Sequence, residues 1–275
     1  MRAWQRIVAV VLIIALACPA DAFARRKRAR SPTTPAAISA SIWDSDANRY
    51  YFAKNIDGRV YPASTTKVMT ALLVLERLSL DQYVTVSSRA TQVPETKLNL
   101  RPGEQYKVRD LLYAALLKSA NDAAIVLAEA VAGSQAQFVS LMNDRAARIG
   151  VRHTRFANAH GLPSDGRQYT TARDMALIFQ EALKQPFFRQ AVTYKYRVIY
   201  SKAGRRLFLK SHNKSLFLNW KRSVYGKTGY TRQAQSCFVG YFTKDSHSYI
   251  VAVFGSQKRW DYMKWIIERY GKVDL

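Results

Sequence analysis

At 275 residues the chain is long enough for one large domain with a true core, or for two small ones. Apolar residues make up 48% of it, which excludes a disordered polymer. The 43 Lys and Arg against 19 Asp and Glu leave a net charge of +24, a field that attracts polyanions without choosing among nucleic acid, anionic lipid and an anionic wall polymer.

The N-terminus narrows that choice. Arg2 and Arg6 flank the start of an apolar run over 7–18, and small residues follow at Ala20-Asp21-Ala22 and Ala22-Phe23-Ala24. The run is shorter than the roughly 20 residues a bilayer span needs, and the layout is that of a secretory signal. Residues 1–24 are therefore expected to be a signal peptide, and the protein to be exported to the periplasm or cell envelope. Lipidation at Cys18 is the alternative, although Ala15 stands where a lipoprotein signal usually has Leu. Cys237 is the one other cysteine, so the processed chain is expected to hold no internal disulfide. Residues 25–36 read as a basic, Pro/Thr-rich linker that opens with Arg25-Arg26-Lys27-Arg28 and could hold the protein near an anionic envelope surface.

Residues 37–275 read as the folded domain, with no further β-domain after it. Strand-like stretches at 38–43 and 49–53, joined by turn residues, predict a hairpin. A helix is expected from Pro62-Ala63-Ser64 to about 78. Its 68–75 stretch is apolar all round, as in a helix buried on every side. Further helices are expected at 108–118 and 122–131, broken at Ser119-Ala120-Asn121, and at 135–149 and 172–183. Strands follow at 196–200, 206–209, 236–242 and 249–254, and an amphipathic helix at 259–270. Strands, a helical insert, strands and a last helix predict an α+β domain: an antiparallel sheet flanked by helices with an inserted all-helical subdomain. His153, His160, His212 and His247 lack metal-ligand spacing, and no phosphate loop or dinucleotide fingerprint is present, so no metal and no cofactor are expected.

Three motifs carry chemistry. In Ser64-Thr65-Thr66-Lys67 the first and last residues share a helix face, so an amine can reach the hydroxyl. A serine needs a base, and a lysine can serve if burial and nearby cations lower its pKa. The spacing alone is weak, expected about once in a chain this long, and it recurs at Ser211 to Lys214. Ser119-Ala120-Asn121 sits at a helix break, where a capping pair is the ordinary explanation. Lys227-Thr228-Gly229 precedes a strand-like stretch; it offers a cation and a hydroxyl to a carboxylate, and a glycine where a substrate backbone can approach. The weight lies in their order, 55 and 108 residues apart, behind a buried helix, at a helix break and beside a strand.

That set resembles the low-molecular-mass penicillin-binding proteins, specifically the D-alanyl-D-alanine carboxypeptidase family. Asn158-Ala159-His160-Gly161-Leu162 and Asn213-Lys214 are similar to it as well. The resemblance implies a β-lactamase/transpeptidase-like fold, peptidoglycan stem peptides as substrates and β-lactams as covalent inhibitors. It implies that Ser64 forms an acyl-enzyme with the penultimate D-Ala and that Lys67 is the base. Ser119 and Asn121 would relay the proton and hold the substrate amide, Lys227 and Thr228 would bind the terminal carboxylate or assist the relay, and the amides of Ser64 and Tyr230, beside Gly229, would form the oxyanion hole. Arg259 is the candidate for assisting the carboxylate. The sequence departs from the family at Tyr230, where many relatives have His, and at Gln235, where Gly is frequent. The short form also resembles the related D-alanyl-D-alanine endopeptidases, an alternative reading. A β-lactamase would need a deacylating carboxylate; Glu95-Thr96-Lys97-Leu98-Asn99 mimics that element but precedes Ser119 instead of following it. The charge fits a nucleic-acid-binding protein, but no such motif is present and the export signal opposes it.

Overall fold

The computed structural model describes residues 35–94, 96–164 and 167–275; the signal-like stretch and nearly all of the basic linker lie outside them. The chain opens with strands β1 (Ser39–Asp44) and β2 (Arg49–Lys54), a 3₁₀ turn (Ala63–Thr66) and helix α1 (Lys67–Arg77). Then come β3 (Tyr83–Thr85), α2 (Ser88–Thr91), β4 (Gln105–Lys107), α3 (Val108–Tyr113), α4 (Asn121–Ala132), α5 (Gln135–Ile149), α6 (Ala172–Leu183) and α7 (Pro186–Ala191). The chain closes with β5 (Tyr196–Tyr200), β6 (Arg206–Lys210), β7 (Tyr225–Thr231), β8 (Gln235–Lys244), β9 (His247–Ser256) and α8 (Arg259–Ile266).

The main sheet runs β2-β1-β9-β8-β7, every pairing antiparallel. The first two strands thus lie beside the last three, and the helices between them form an insert. Alternation along β9 explains how both faces are covered. Ile250, Ala252 and Phe254 join the core built with α1, α4 and α6, while Val251 and Val253 face Tyr262, Met263 and Ile266 of α8. At the far end Asp44 accepts from the amides of Asp46 and Ala47 and meets His247 Nδ1 at 2.9 Å, joining the β1–β2 turn to the β8–β9 turn.

Helix α1 is buried from Lys67 to Val74, as its all-apolar text requires. The boundaries around the motifs differ from the sequence expectation. The expected single helix from residue 62 is a 3₁₀ turn first, and α-helix begins only at Lys67. The expected helix 108–118 widens after Tyr113 into a π-turn over Ala114–Lys118 and stops where Ser119 takes a left-handed φ of 63°. Helix 259–270 likewise ends in a π-turn over Ile267–Gly271. Lys227-Thr228-Gly229 precedes the expected 236–242 strand, here β8, and itself lies within a strand that was not expected, β7, at the sheet edge.

Candidate active site

The site lies where the 3₁₀ turn, the break before α4 and strand β7 converge. Ala63 holds φ 46°, a left-handed value that costs a residue with a Cβ, so the chain is strained immediately before Ser64. One turn on, Lys67 is fully buried as the first residue of α1. Its Nζ stands 3.1 Å from Ser64 Oγ, 2.6 Å from Asn121 Oδ1 and 2.7 Å from the His160 carbonyl oxygen. None of the three is a carboxylate. Burial, and next the charge of Lys227, hold the Lys67 amine well below the usual lysine range, with Asp122 opposing weakly.

Ser119 and Asn121 reach the site because the π-turn ends abruptly. The left-handed Ser119 reverses the chain, and α4 starts at Asn121, whose backbone N–H donates to Thr96 O and whose Nδ2 donates to Pro94 O. Asp122 beside it is buried and accepts from the amides of Leu98, Leu100 and Ala123, which fixes the 96–100 loop against α4.

Lys227 is also fully buried; its Nζ donates to Ser119 Oγ at 2.9 Å and to the Thr228 carbonyl at 2.8 Å. Burial, and next Arg259, bring its pKa down to about 7. A Cβ on Gly229 would sit 3.0 Å from Ser64 N and 3.1 Å from Ala63 Cβ, so only glycine lets β7 pass this close to the 3₁₀ turn. Tyr230 points its ring outward, 63% exposed, and contributes to the cleft from the strand edge.

Arg259, at the start of α8, lines the same cleft, but Nη1 is committed to the carbonyls of Gly229 and Cys237, at 2.8 Å each. It holds the end of β7 against β8 as well as adding charge. The second Ser-x-x-Lys, Ser211 to Lys214, forms part of the cleft wall. Its serine hydroxyl accepts from the Asn213 amide, and no α-helix joins the two residues. Of the lactamase-like element, Glu95 lies outside the described residues.

Asn158-Ala159-His160-Gly161-Leu162 has a part that its resemblance left unassigned. The Asn158 side-chain oxygen accepts from the amides of His160 and Gly161, folding a turn that aims the His160 carbonyl at Lys67. Gly161 has φ 93°, and a Cβ there would fall 1.9 Å from the Ala63 carbonyl oxygen. Burial, then Lys67, push the His160 imidazole down to about 3, so it stays neutral, and its Nδ1 accepts from the Leu162 amide. The Asn/Gly turn chemistry was the available signal; nothing local named its target.

These groups open onto a cleft of about 730 Å³. They amount to a serine with a dry amine beside it, a second hydroxyl–amine pair opposite, and a sheet edge along one wall. Comparison with known proteins gives that arrangement a family. The sequence profile of D-alanyl-D-alanine carboxypeptidases matches residues 26–258. The D-alanyl-D-alanine carboxypeptidase DacF of Bacillus subtilis is 30% identical over 261 residues, covering 92% of this chain and 66% of its own length. A D-alanyl-D-alanine endopeptidase of Pseudomonas aeruginosa is 30% identical over 204 residues, 73% of this chain and 65% of its own. The chain thus spans just under two thirds of either relative. Among solved structures, the Streptomyces K15 DD-transpeptidase superposes with a TM-score of 0.79 at 28% identity, over 87% of this chain and 98% of that one. The fold is that of the β-lactamase-like DD-peptidases. The chain belongs to the D-alanyl-D-alanine carboxypeptidase family.

Proposed function

We propose that the protein is a serine-type D-alanyl-D-alanine peptidase of the cell envelope, acting as a carboxypeptidase on peptidoglycan stem peptides. The observation that carries this reading is the buried Lys67 amine, 3.1 Å from Ser64 Oγ and surrounded by neutral acceptors. A neutral amine has two hydrogens and one lone pair. The shorter bonds, to Asn121 and His160, take the hydrogens, and the lone pair is left for the Ser64 hydroxyl proton.

Ser64 Oγ attacks the penultimate D-Ala carbonyl as Lys67 takes its proton, giving a tetrahedral oxyanion beside the Ser64 and Tyr230 amides. The C–N bond then breaks, and the leaving D-Ala nitrogen receives a proton through Ser119, which accepts from Lys227 at 2.9 Å. Water hydrolyses the acyl-enzyme by the reverse relay. Asn121 holds the substrate amide, and Lys227, Thr228 and Arg259 supply the charge and hydroxyl for the terminal carboxylate. The apolar N-terminal run supports export. β-Lactams would acylate Ser64 in place of the peptide. The name of the Pseudomonas relative favours a second reading, cleavage of cross-links, in which the leaving amine belongs to another stem.

Fluorescent penicillin should label the wild type and fail to label Ser64→Ala. A wild type that takes no label would sink the acyl-enzyme. A pentapeptide muropeptide should release free D-Ala; monomers released from a cross-linked dimer with no free D-Ala from the pentapeptide would shift the assignment to endopeptidase.

A further inference from the structure

Beyond the groups assigned above, the cleft has a second wall made of cations. Lys118 ends the π-turn immediately before Ser119, Lys210 ends β6, and Lys214 begins the 3₁₀ turn Lys214–Leu216. Three separate elements thus bring a lysine to the lining of the same cleft. The His212 amide donates to the Leu117 carbonyl at 2.9 Å, which clamps the 211–214 segment against the π-turn and keeps Lys118 and Lys214 on one side. No Asp or Glu is among the described residues that line the cleft. None of the three lysines has a carboxylate partner among the described residues.

A chain at +24 must leave many lysines unpaired, so lack of a partner alone says little. Convergence says more, because like charges around one concavity raise each other's energy unless an anion enters. Of the three lysines, Lys118 acts on His212: partial burial, then Lys227, Lys118, Arg259 and Lys67, push its imidazole down to about 4. Apolar groups line the cleft beside them, with Lys210 Nζ over the Phe217 ring at 5.4 Å and Leu218 exposed next in the chain.

The position of this wall sets its role. Lys118 adjoins Ser119, whose hydroxyl accepts from Lys227, so the lysines extend the cleft from the Ser119–Lys227 pair, which in the proposed mechanism protonates the departing residue. We propose that Lys118, Lys210 and Lys214 form a subsite for the leaving half of the substrate, selecting a leaving residue that carries carboxylates beyond the one next to the scissile amide. This rests on the DD-peptidase reading. A lone D-Ala has one carboxylate and no use for such a wall. The leaving amine of a cross-linked stem peptide belongs to a chain with several, and its aliphatic side chain would lie over Phe217 and Leu218.

The test uses the whole protein and two peptides, diacetyl-Lys-D-Ala-D-Ala and diacetyl-Lys-D-Ala-D-Glu, with penicillin labelling measured in parallel. The wild type should cleave the D-Glu peptide with a kcat/KM that falls as salt rises. The triple variant Lys118→Gln/Lys210→Gln/Lys214→Gln should lose about tenfold on that peptide, the sum of three screened ion pairs. It should change by less than about threefold on D-Ala release and on labelling. Lys210→Glu/Lys214→Glu should reverse the preference toward a D-Lys leaving residue; this gain of function cannot come from misfolding. Equal losses on both peptides, or no reversal in the charge-swapped variant, overturn the subsite while labelling and D-Ala release leave the peptidase reading standing. Absence of labelling in the wild type removes the peptidase reading and the subsite with it.

Discussion

The chemistry of the site turns on two lysines with no exposed surface, Lys67 and Lys227. An ammonium taken out of water without a carboxylate costs several kcal/mol, so burial pulls Lys67 well below the usual lysine range and Lys227 down to about 7, where it still carries its proton part of the time at neutral pH. The same preference that suits Lys67 to the proposed role of base makes it a stability liability. Lys67→Met should therefore lower the rate of penicillin acylation by about 10³-fold, the usual worth of a positioned base, and yet raise the urea midpoint at neutral pH. The sign for Lys227 follows from its folded pKa of about 7 against the ordinary 10.5. Below about 7 both states hold the proton, and stability does not depend on pH through this group. Between about 7 and 10.5 the unfolded chain binds a proton that the folded chain does not, so stability rises with pH. Wild-type urea midpoints should climb across that window, and Lys227→Met should make the climb shallower, leaving the part that Lys67 contributes. A Lys227→Met profile as steep as the wild type's would mean that the amine is charged in the fold.

At the scale of elements, the site exists because three pieces of backbone approach more closely than side chains allow. Gly161 and Gly229 make the two tightest approaches to the 3₁₀ turn, and they predict different outcomes. Gly161→Ala drives a Cβ to 1.9 Å from the Ala63 carbonyl at a φ of 93°, so it should destabilise the fold by roughly 3 kcal/mol and cost activity with it. Gly229→Ala meets Ser64 N at 3.0 Å without a positive φ, so a small shift of the edge strand relieves it. It should cost little in urea midpoint but lower acylation by about tenfold or more, since misplacing a reacting group by a fraction of an ångström is enough. These glycines also explain what the sequence text revealed and what it hid. Helix α1 was legible because an apolar run has a single physical meaning, and β8 and β9 because β-branched and aromatic residues cluster there. Strand β7 was not, because Tyr225-Gly226-Lys227-Thr228-Gly229 has the composition of a loop; it is a strand through its pairing with β8 and its packing on the 3₁₀ turn. The π-turn before Ser119 was equally hidden. Its residues Ala114 to Leu117 are good helix formers, and the widening is a tertiary effect that delivers a left-handed serine. Motif order picked out the side chains that converge with Ser64, but the His160 carbonyl could not be located that way, because a backbone acceptor leaves no mark on residue identity.

Over the whole molecule, the motifs are dispersed while the site is compact. Ser64 lies near one end of the domain text, Lys227 near the other, and the sheet joins them by laying β1 and β2 beside β9. The insert between them contributes Ser119, Asn121 and His160, so neither the sheet nor the insert holds a complete site. This arrangement leaves the outer surface free to serve a separate purpose, and its charge suggests which. A net +24 is far beyond what one cleft needs, and Arg25-Arg26-Lys27-Arg28 gathers four of its cations into one dense cluster. Attraction of this kind is long-ranged, screened by salt and indifferent to the catalytic groups. Binding to purified, insoluble cell-wall sacculi should therefore weaken steeply as salt rises from about 50 to 300 mM, with the logarithm of affinity falling almost linearly against the logarithm of salt concentration, as expected for counterion release. Ser64→Ala should bind as tightly as the wild type at every salt concentration, and replacing Arg25, Arg26, Lys27 and Arg28 by Gln should make the slope shallower. Cleavage of the small D-Ala-D-Ala peptide should be nearly unaffected by the same four substitutions. Should those changes slow small-peptide cleavage as much as they weaken wall binding, the basic segment would belong to the active site, and the two-part description of the molecule would fall.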